Sequence, residues 1–143
     1  MLKHIPPILG PDLLYILRAM GHGDEIAIVD ANYPGDSAGP ELVRMDGLTA
    51  TAVLDAVLTL MPLDTFVEAP AFGMAVVGSV DERVPAHDDF EATIKLHEPD
   101  MHLTLLERFA FYDRVQNAYA IVQTGERRLY GNVLLKKGII RPD

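Results

Sequence analysis

Four consecutive apolar residues, Ile26-Ala27-Ile28-Val29, stand between two polar segments, Gly21-His22-Gly23-Asp24-Glu25 and Asp30-Ala31-Asn32-Tyr33-Pro34. A run this short, bounded by turn formers, reads as a buried strand spanning 25–30. In an open α/β sheet, ligand groups gather in the crevice beyond the carboxyl ends of the strands, and Asp30 would stand at such an edge. The glycines on either side of His22 let the backbone turn tightly next to the imidazole. An imidazole and a carboxylate serving one pocket could move protons on a small polar molecule near neutral pH. Asp24 offers a plainer use: it could cap the turn or orient His22.

Composition narrows the function classes. The chain has 143 residues, 49% of them hydrophobic, which fits one domain over 1–143 with its own core. It contains no cysteine, so disulfides, thiolate metal sites and cysteine nucleophiles are excluded. The formal net charge of -9 opposes nucleic-acid partners, and the basic pairs Arg127-Arg128 and Lys136-Lys137 read as ordinary solvated surface. The same field favours a neutral substrate over a phosphorylated one. The start Met1-Leu2-Lys3-His4-Ile5-Pro6-Pro7 lacks the apolar run of a signal peptide, and no stretch approaches the roughly 20 residues of a membrane span. The expectation is a cytoplasmic protein with no membrane partner.

Periodicity alternates along the chain. A helix opens at Gly10-Pro11-Asp12, with Leu13, Ile16, Leu17 and Met20 on one face. Residues 31–40 are dense in turn formers and read as a loop able to cover a substrate. Helices are expected over 49–60, 85–96 and 108–117, and strands over 42–44, 65–67, 74–77, 102–106, 119–123 and 132–135. Phe66, Val67 and Phe72 read as core, as do Phe109 and Tyr112, three residues apart on one helical face. Alternating helices and strands favour a layered α/β fold.

Two further clusters carry chemistry. Arg108 begins a helix just after a strand, and its planar fork could hold two sugar oxygens or a carboxylate, although spacing alone favours an ion pair with an acid such as Glu107. Tyr130-Gly131-Asn132 offers donors and acceptors to a polyhydroxylated ligand, or is an ordinary turn into the last strand. Metal ligation is not supported. His97-Glu98-Pro99-Asp100-Met101-His102 has one residue too many for H-E-x-x-H, and Pro99 would break the helix that motif needs. Neither G-x-x-x-x-G-K-[ST] nor G-x-G-x-x-G occurs, so nucleotide cofactors lack support.

Taken in order, Gly21-His22-Gly23-Asp24-Glu25-Ile26, Arg108-Phe109-Ala110-Phe111-Tyr112, Thr124-Gly125-Glu126-Arg127 and 130–138 (Tyr-Gly-Asn-Val-Leu-Leu-Lys-Lys-Gly) resemble the RbsD/FucU sugar mutarotases, in their L-fucose mutarotase branch. The resemblance implies a three-layer α/β domain of the RbsD-like type. It also implies interconversion of the α and β anomers of a free aldose without a cofactor, and ring-like homo-oligomers, often decamers, with sites near subunit contacts. It makes His22 the catalytic acid, and Asp30, Arg108, Tyr130 and Asn132 the sugar-binding set. Asn32 stands where relatives often carry histidine, a departure that bears on sugar preference. Two other readings fit the same residues: a D-ribose pyranase and a non-catalytic monosaccharide-binding module.

Overall fold

Turn chemistry and apolar spacing divide the chain into ten elements. The computed structural model, which describes residues 1–143, contains α1 (Pro11–Ala19), β1 (Glu25–Val29), β2 (Glu41–Met45), α2 (Ala50–Leu58), β3 (Ala71–Met74), α3 (Pro85–His97), β4 (Thr104–Leu106), α4 (Arg108–Val115), β5 (Ala120–Thr124) and β6 (Val133–Lys136). Proline occupies the first turn of α1 and of α3, where a missing N–H costs nothing. The Thr49 hydroxyl accepts from Ala52 N at the start of α2. The Glu107 carboxylate accepts from Phe109 N and Ala110 N at the start of α4, where a negative charge meets the positive end of the helix dipole.

The six strands form one sheet in the order β2-β5-β1-β6-β3-β4. β2, β5 and β1 are parallel, as are β3 and β4, and β6 runs antiparallel to both of its neighbours. Side chains alternate across the sheet. Ile26 and Ile28, Ala120 and Val122, and Val133 and Leu135 join the larger core, packed with α1, α2 and α3. Ala27, Val29, Ile121 and Leu134 face the other way into a smaller core closed by Phe111 and Val115 of α4. Helices therefore cover both faces, giving the expected three layers.

Several expectations are corrected. The third strand is Ala71–Met74, earlier than 74–77, and 65–67 is not a strand. The Asp64 carboxylate accepts from Phe66 N, an Asx-type turn that ends extended pairing and leaves Phe66 60% exposed. Pairing starts after Pro70, whose carbonyl accepts from Lys136 N. Gly73, which reads as a loop residue, serves β3 because a Cβ there would lie 2.9 Å from the Leu105 side chain. Phe109 also faces outward, 67% exposed, while its neighbour Phe111 enters the core. Finally, the two basic pairs are not plain surface: Arg128 donates to Glu126 and Thr51, and Lys137 to the carbonyls of Leu17 and Met20.

His87 ties α3 to β3 from a fully buried position. Its Nδ1 accepts from Val84 N at 3.2 Å, so Nε2 carries the proton and donates to the Met74 carbonyl at 2.9 Å. Burial, reinforced by Arg83 and opposed by the Met74 bond and Asp88, holds the imidazole below its ordinary value of 6.5. A depressed folded value means the stabilisation is present above about pH 6.5 and is lost as pH falls towards the folded value. His87→Leu, which leaves the buried Met74 carbonyl and the partly buried Val84 N–H without this partner, should cost about 2–4 kcal/mol at pH 7.5. Urea melts of wild type and variant should show that gap narrowing by pH 5, because only the wild type loses stability through this group.

Candidate active site

Parallel strands bring their carboxyl ends to one edge of a sheet, and an antiparallel strand brings its amino end to the same edge. β1 thus delivers Asp30, β3 delivers Met74, β4 leads into Arg108, and the residues before β6 supply Tyr130 and Asn132. Together with Tyr112 these residues line a cavity of about 250 Å³. A larger hollow of about 510 Å³ lies along α1 and the C-terminal segment, but it is lined mainly by apolar residues such as Leu2, Ile5, Leu14 and Ile140. Its Lys137 ammonium is already donated to the carbonyls of Leu17 and Met20. The smaller cavity holds the polar groups.

Asp30 and Asn132 are a reciprocal pair. Asp30 N donates to Asn132 Oδ1 at 2.8 Å, and Asn132 Nδ2 donates to Asp30 Oδ2 at 2.9 Å. Asn32 N donates to Asp30 Oδ1 at 2.9 Å. Burial pushes the Asp30 carboxyl up from its ordinary value; these hydrogen bonds pull it back, and Glu126 adds a like charge. The carboxylate is therefore fixed in place and retains acceptor capacity for a bound hydroxyl.

The Tyr130 turn is braced from below. Tyr130 takes φ +60°, unusual for a side chain of this size, and its hydroxyl accepts from Val77 N at 3.3 Å. Gly131 allows that approach, because a Cβ there would lie 2.6 Å from Glu126 Cγ. Arg128 donates from Nε and Nη2 to the buried Glu126 carboxylate at 3.0 Å each, and also reaches Asp89 and Thr51. That hydrogen bonding holds the Glu126 carboxyl below its usual value. Arg108, in contrast, has no carboxylate partner, since Glu107 is used as a helix cap. Its guanidinium lies 5.7 Å from the Tyr112 ring and 5.8 Å from Phe109, free to engage a ligand.

His22 lies elsewhere. It precedes β1 and Asp30 follows it, so a five-residue strand of about 16 Å separates them within one chain. His22 Nε2 is 3.0 Å from Asp64 Oδ1, with the imidazole 45% exposed and the carboxylate 3%. Phe66 packs against the imidazole at 5.4 Å. Asp24 takes the plainer of its two roles and accepts from Gly21 N at 2.7 Å. Burial opposes ionisation of Asp64, but hydrogen bonds from Phe66 N and His22, with Lys136 nearby, hold its carboxyl below the ordinary range. Asp64 was invisible to sequence reasoning because its partner is 42 residues away. No three or more His, Asp or Glu side chains converge as a metal site would require, and no helix is long and apolar enough to cross a membrane.

The sequence pattern of the RbsD / FucU transport protein family matches residues 3–140. Human fucose mutarotase is 46% identical over 97% of this chain and 94% of its own length. The mouse fucose mutarotase is 47% identical over 97% of this chain and 95% of its own length. The crystal structure of the fucose mutarotase of Streptococcus pneumoniae in complex with L-fucose superposes with a TM-score of 0.90 at 45% identity, covering 98% of this chain and 100% of that one.

The reciprocal pair gives a direct test of the cavity's electrostatics. Asn132→Asp sets two buried carboxylates against each other in place of one hydrogen bond, and should destabilise the fold by about 2–4 kcal/mol at pH 7. The pair then binds a proton more tightly folded than unfolded, so stability should return as pH falls. Urea melts at pH 7 and pH 4.5 would show a smaller deficit at the lower value.

Proposed function

The chain belongs to the RbsD/FucU family, and from that premise we propose that it is an L-fucose mutarotase, interconverting the α and β anomers of the free sugar in the cytoplasm. The whole of 1–143 serves as one mutarotase domain in this reading. Support comes from fucose mutarotases about 45% identical over nearly the full chain, one of them holding L-fucose. The observation that carries it is a polar cavity of monosaccharide size walled by a fixed carboxylate, an amide, a phenol and an unpaired guanidinium.

Asp30 and Asn132 present acceptor and donor to sugar hydroxyls, Tyr130 adds its phenol, and Arg108 offers its planar fork to two sugar oxygens. Ring opening needs a proton delivered to the ring oxygen while one leaves the anomeric hydroxyl. Rotation about C1–C2 and the reverse transfer give the other anomer. His22 is the group suited to carry that proton, since imidazole both donates and accepts near neutral pH. Asp64 holds its ring by one nitrogen, leaving the other for the substrate.

His22 and Asp30 occupy opposite edges of the sheet, so one site needs two copies of the chain. Exposed apolar side chains mark both edges. Leu129 lines the cavity, Val77 and Phe109 adjoin its Tyr130 and Arg108, and Phe66, followed in sequence by Val67, packs on His22. A contact between such unlike patches is head-to-tail, and where its rotation closes it makes a ring in which each copy lends His22 to its neighbour's cavity. This extends the expected ring-like homo-oligomer to a shared site.

Saturation-transfer NMR of anomer exchange tests the reading. His22→Ala should lower L-fucose exchange about 10²–10³-fold while retaining the fold. Asp30→Asn should weaken sugar binding. Subunits of His22→Ala mixed with subunits of Asp30→Asn should regain exchange, because some interfaces then pair an intact His22 with an intact Asp30. Full activity in His22→Ala would sink the acid-base role, and no recovery on mixing would sink the shared site. Acceleration on D-ribose alone would favour the pyranase reading, and binding without acceleration a non-catalytic module.

A further inference from the structure

Only one buried side-chain nitrogen or oxygen in the chain lacks a hydrogen-bond partner: the Tyr33 hydroxyl. Tyr33 is 5% exposed and lines the Asp30 cavity. It also lines an adjoining hollow of about 370 Å³, which runs past Pro34, Ser37 and Gln116. Its ring is fixed. The backbone carbonyl accepts from Gln123 Nε2 at 2.7 Å, the backbone N–H donates to the Asp30 carbonyl, and the ring packs against Phe111 and Tyr112.

A buried hydroxyl without a partner is a cost to the free protein, and native interiors seldom carry one without a use. Phenylalanine would fill the same space at no such cost. The two side chains that border both hollows with Tyr33 are Arg108 and Tyr112. Arg108 is exposed and held by no carboxylate, and exposed side chains change rotamer within nanoseconds. When Arg108 turns to a ligand, the wall between the hollows is the part that changes.

We propose that the Tyr33 hydroxyl is a specificity-determining group, hydrogen-bonded to one hydroxyl of the bound monosaccharide on the side of the cavity next to Pro34 and Gln116. Burial, with Tyr112 and Asp30 nearby, pushes the phenol up from its ordinary value, so it remains protonated and is able to donate. Asp30 and Asn132 read the sugar from one side and Tyr33 reads it from another. This inference rests on the cavity being the sugar site.

The test compares L-fucose affinity, exchange rate and melting temperature in wild type, Tyr33→Phe and Asp30→Asn. Loss of one neutral hydrogen bond should weaken binding about 3- to 10-fold in Tyr33→Phe, with the maximal exchange rate within about twofold of wild type. The melting temperature should hold or rise, because the free protein no longer buries an unpaired hydroxyl. Among monodeoxy analogues of L-fucose, one should bind wild type and Tyr33→Phe equally, which identifies the hydroxyl concerned. Unchanged L-fucose affinity in Tyr33→Phe alongside weakened binding in Asp30→Asn would overturn the Tyr33 role and leave the cavity as the sugar site. Unchanged affinity in both would overturn the two together. An equal loss across every deoxy analogue would also overturn it, since Tyr33 would then act through shape alone.

Discussion

The double hydrogen bond between Asp30 and Asn132 links residues 102 positions apart, one just after β1 and the other just before β6. A carboxylate this buried is tolerated only with partners for its oxygens, and an amide this buried has the same requirement. Each group answers the other's need, so neither can move without leaving the other unpaired. The junction fixes where β1 ends, where β6 begins and which way the carboxylate faces. Tyr130, Met74 and Arg108 are all placed relative to it. It also orders the construction of the cavity: the Asp30 carboxylate is held rigid by the fold itself, so little ordering entropy would remain to be lost on binding.

Helical periodicity was legible where one face of a helix alone meets the sheet. Leu13, Ile16 and Leu17 of α1, and Val53, Leu54 and Val57 of α2, stand inward as their spacing requires. Short strands were less legible, for a physical reason. Residues 71–74 (Ala-Phe-Gly-Met) are buried on both faces, so no alternation marks them, and Gly73 reads as punctuation although close packing against Leu105 demands it. Phe66 and Phe109 show the converse. Both are large and apolar, yet both are exposed at a sheet edge. Hydrophobicity says that a residue should leave water, and cannot say whether its own chain or another copy provides the cover.

The same distinction runs through the site. Asp30, Arg108, Tyr130 and Asn132, grouped beforehand only by the family resemblance, line one cavity. The proximity of His22 and Asp30 along the sequence was misleading as a guide to space, because a strand separates its two ends by its full length. Supporting groups were least legible of all. Asp64 holds an imidazole 42 residues away, and Arg128, besides the buried Glu126 two residues before it, reaches Asp89 39 residues away, pairings that only the tertiary fold reveals.

β6 connects both halves of this chemistry because it alone runs against its neighbours. A parallel strand in its place would carry its amino end to the His22 edge and leave the cavity without Tyr130 and Asn132. Running antiparallel, it starts at the cavity and finishes at the opposite edge, where its continuation organises the turn around His22. There Lys137 O accepts from Gly23 N, Lys137 N donates to the Asp24 carbonyl, and Lys136 O accepts from Asp64 N. The Lys137 ammonium satisfies the last carbonyls of α1, just before the glycine turn that carries His22. Sheets resist stretching and sliding, since either movement breaks several backbone hydrogen bonds at once. One short strand therefore sets the spacing between the Asp30–Asn132 junction at one edge and the His22–Asp64 pair at the other.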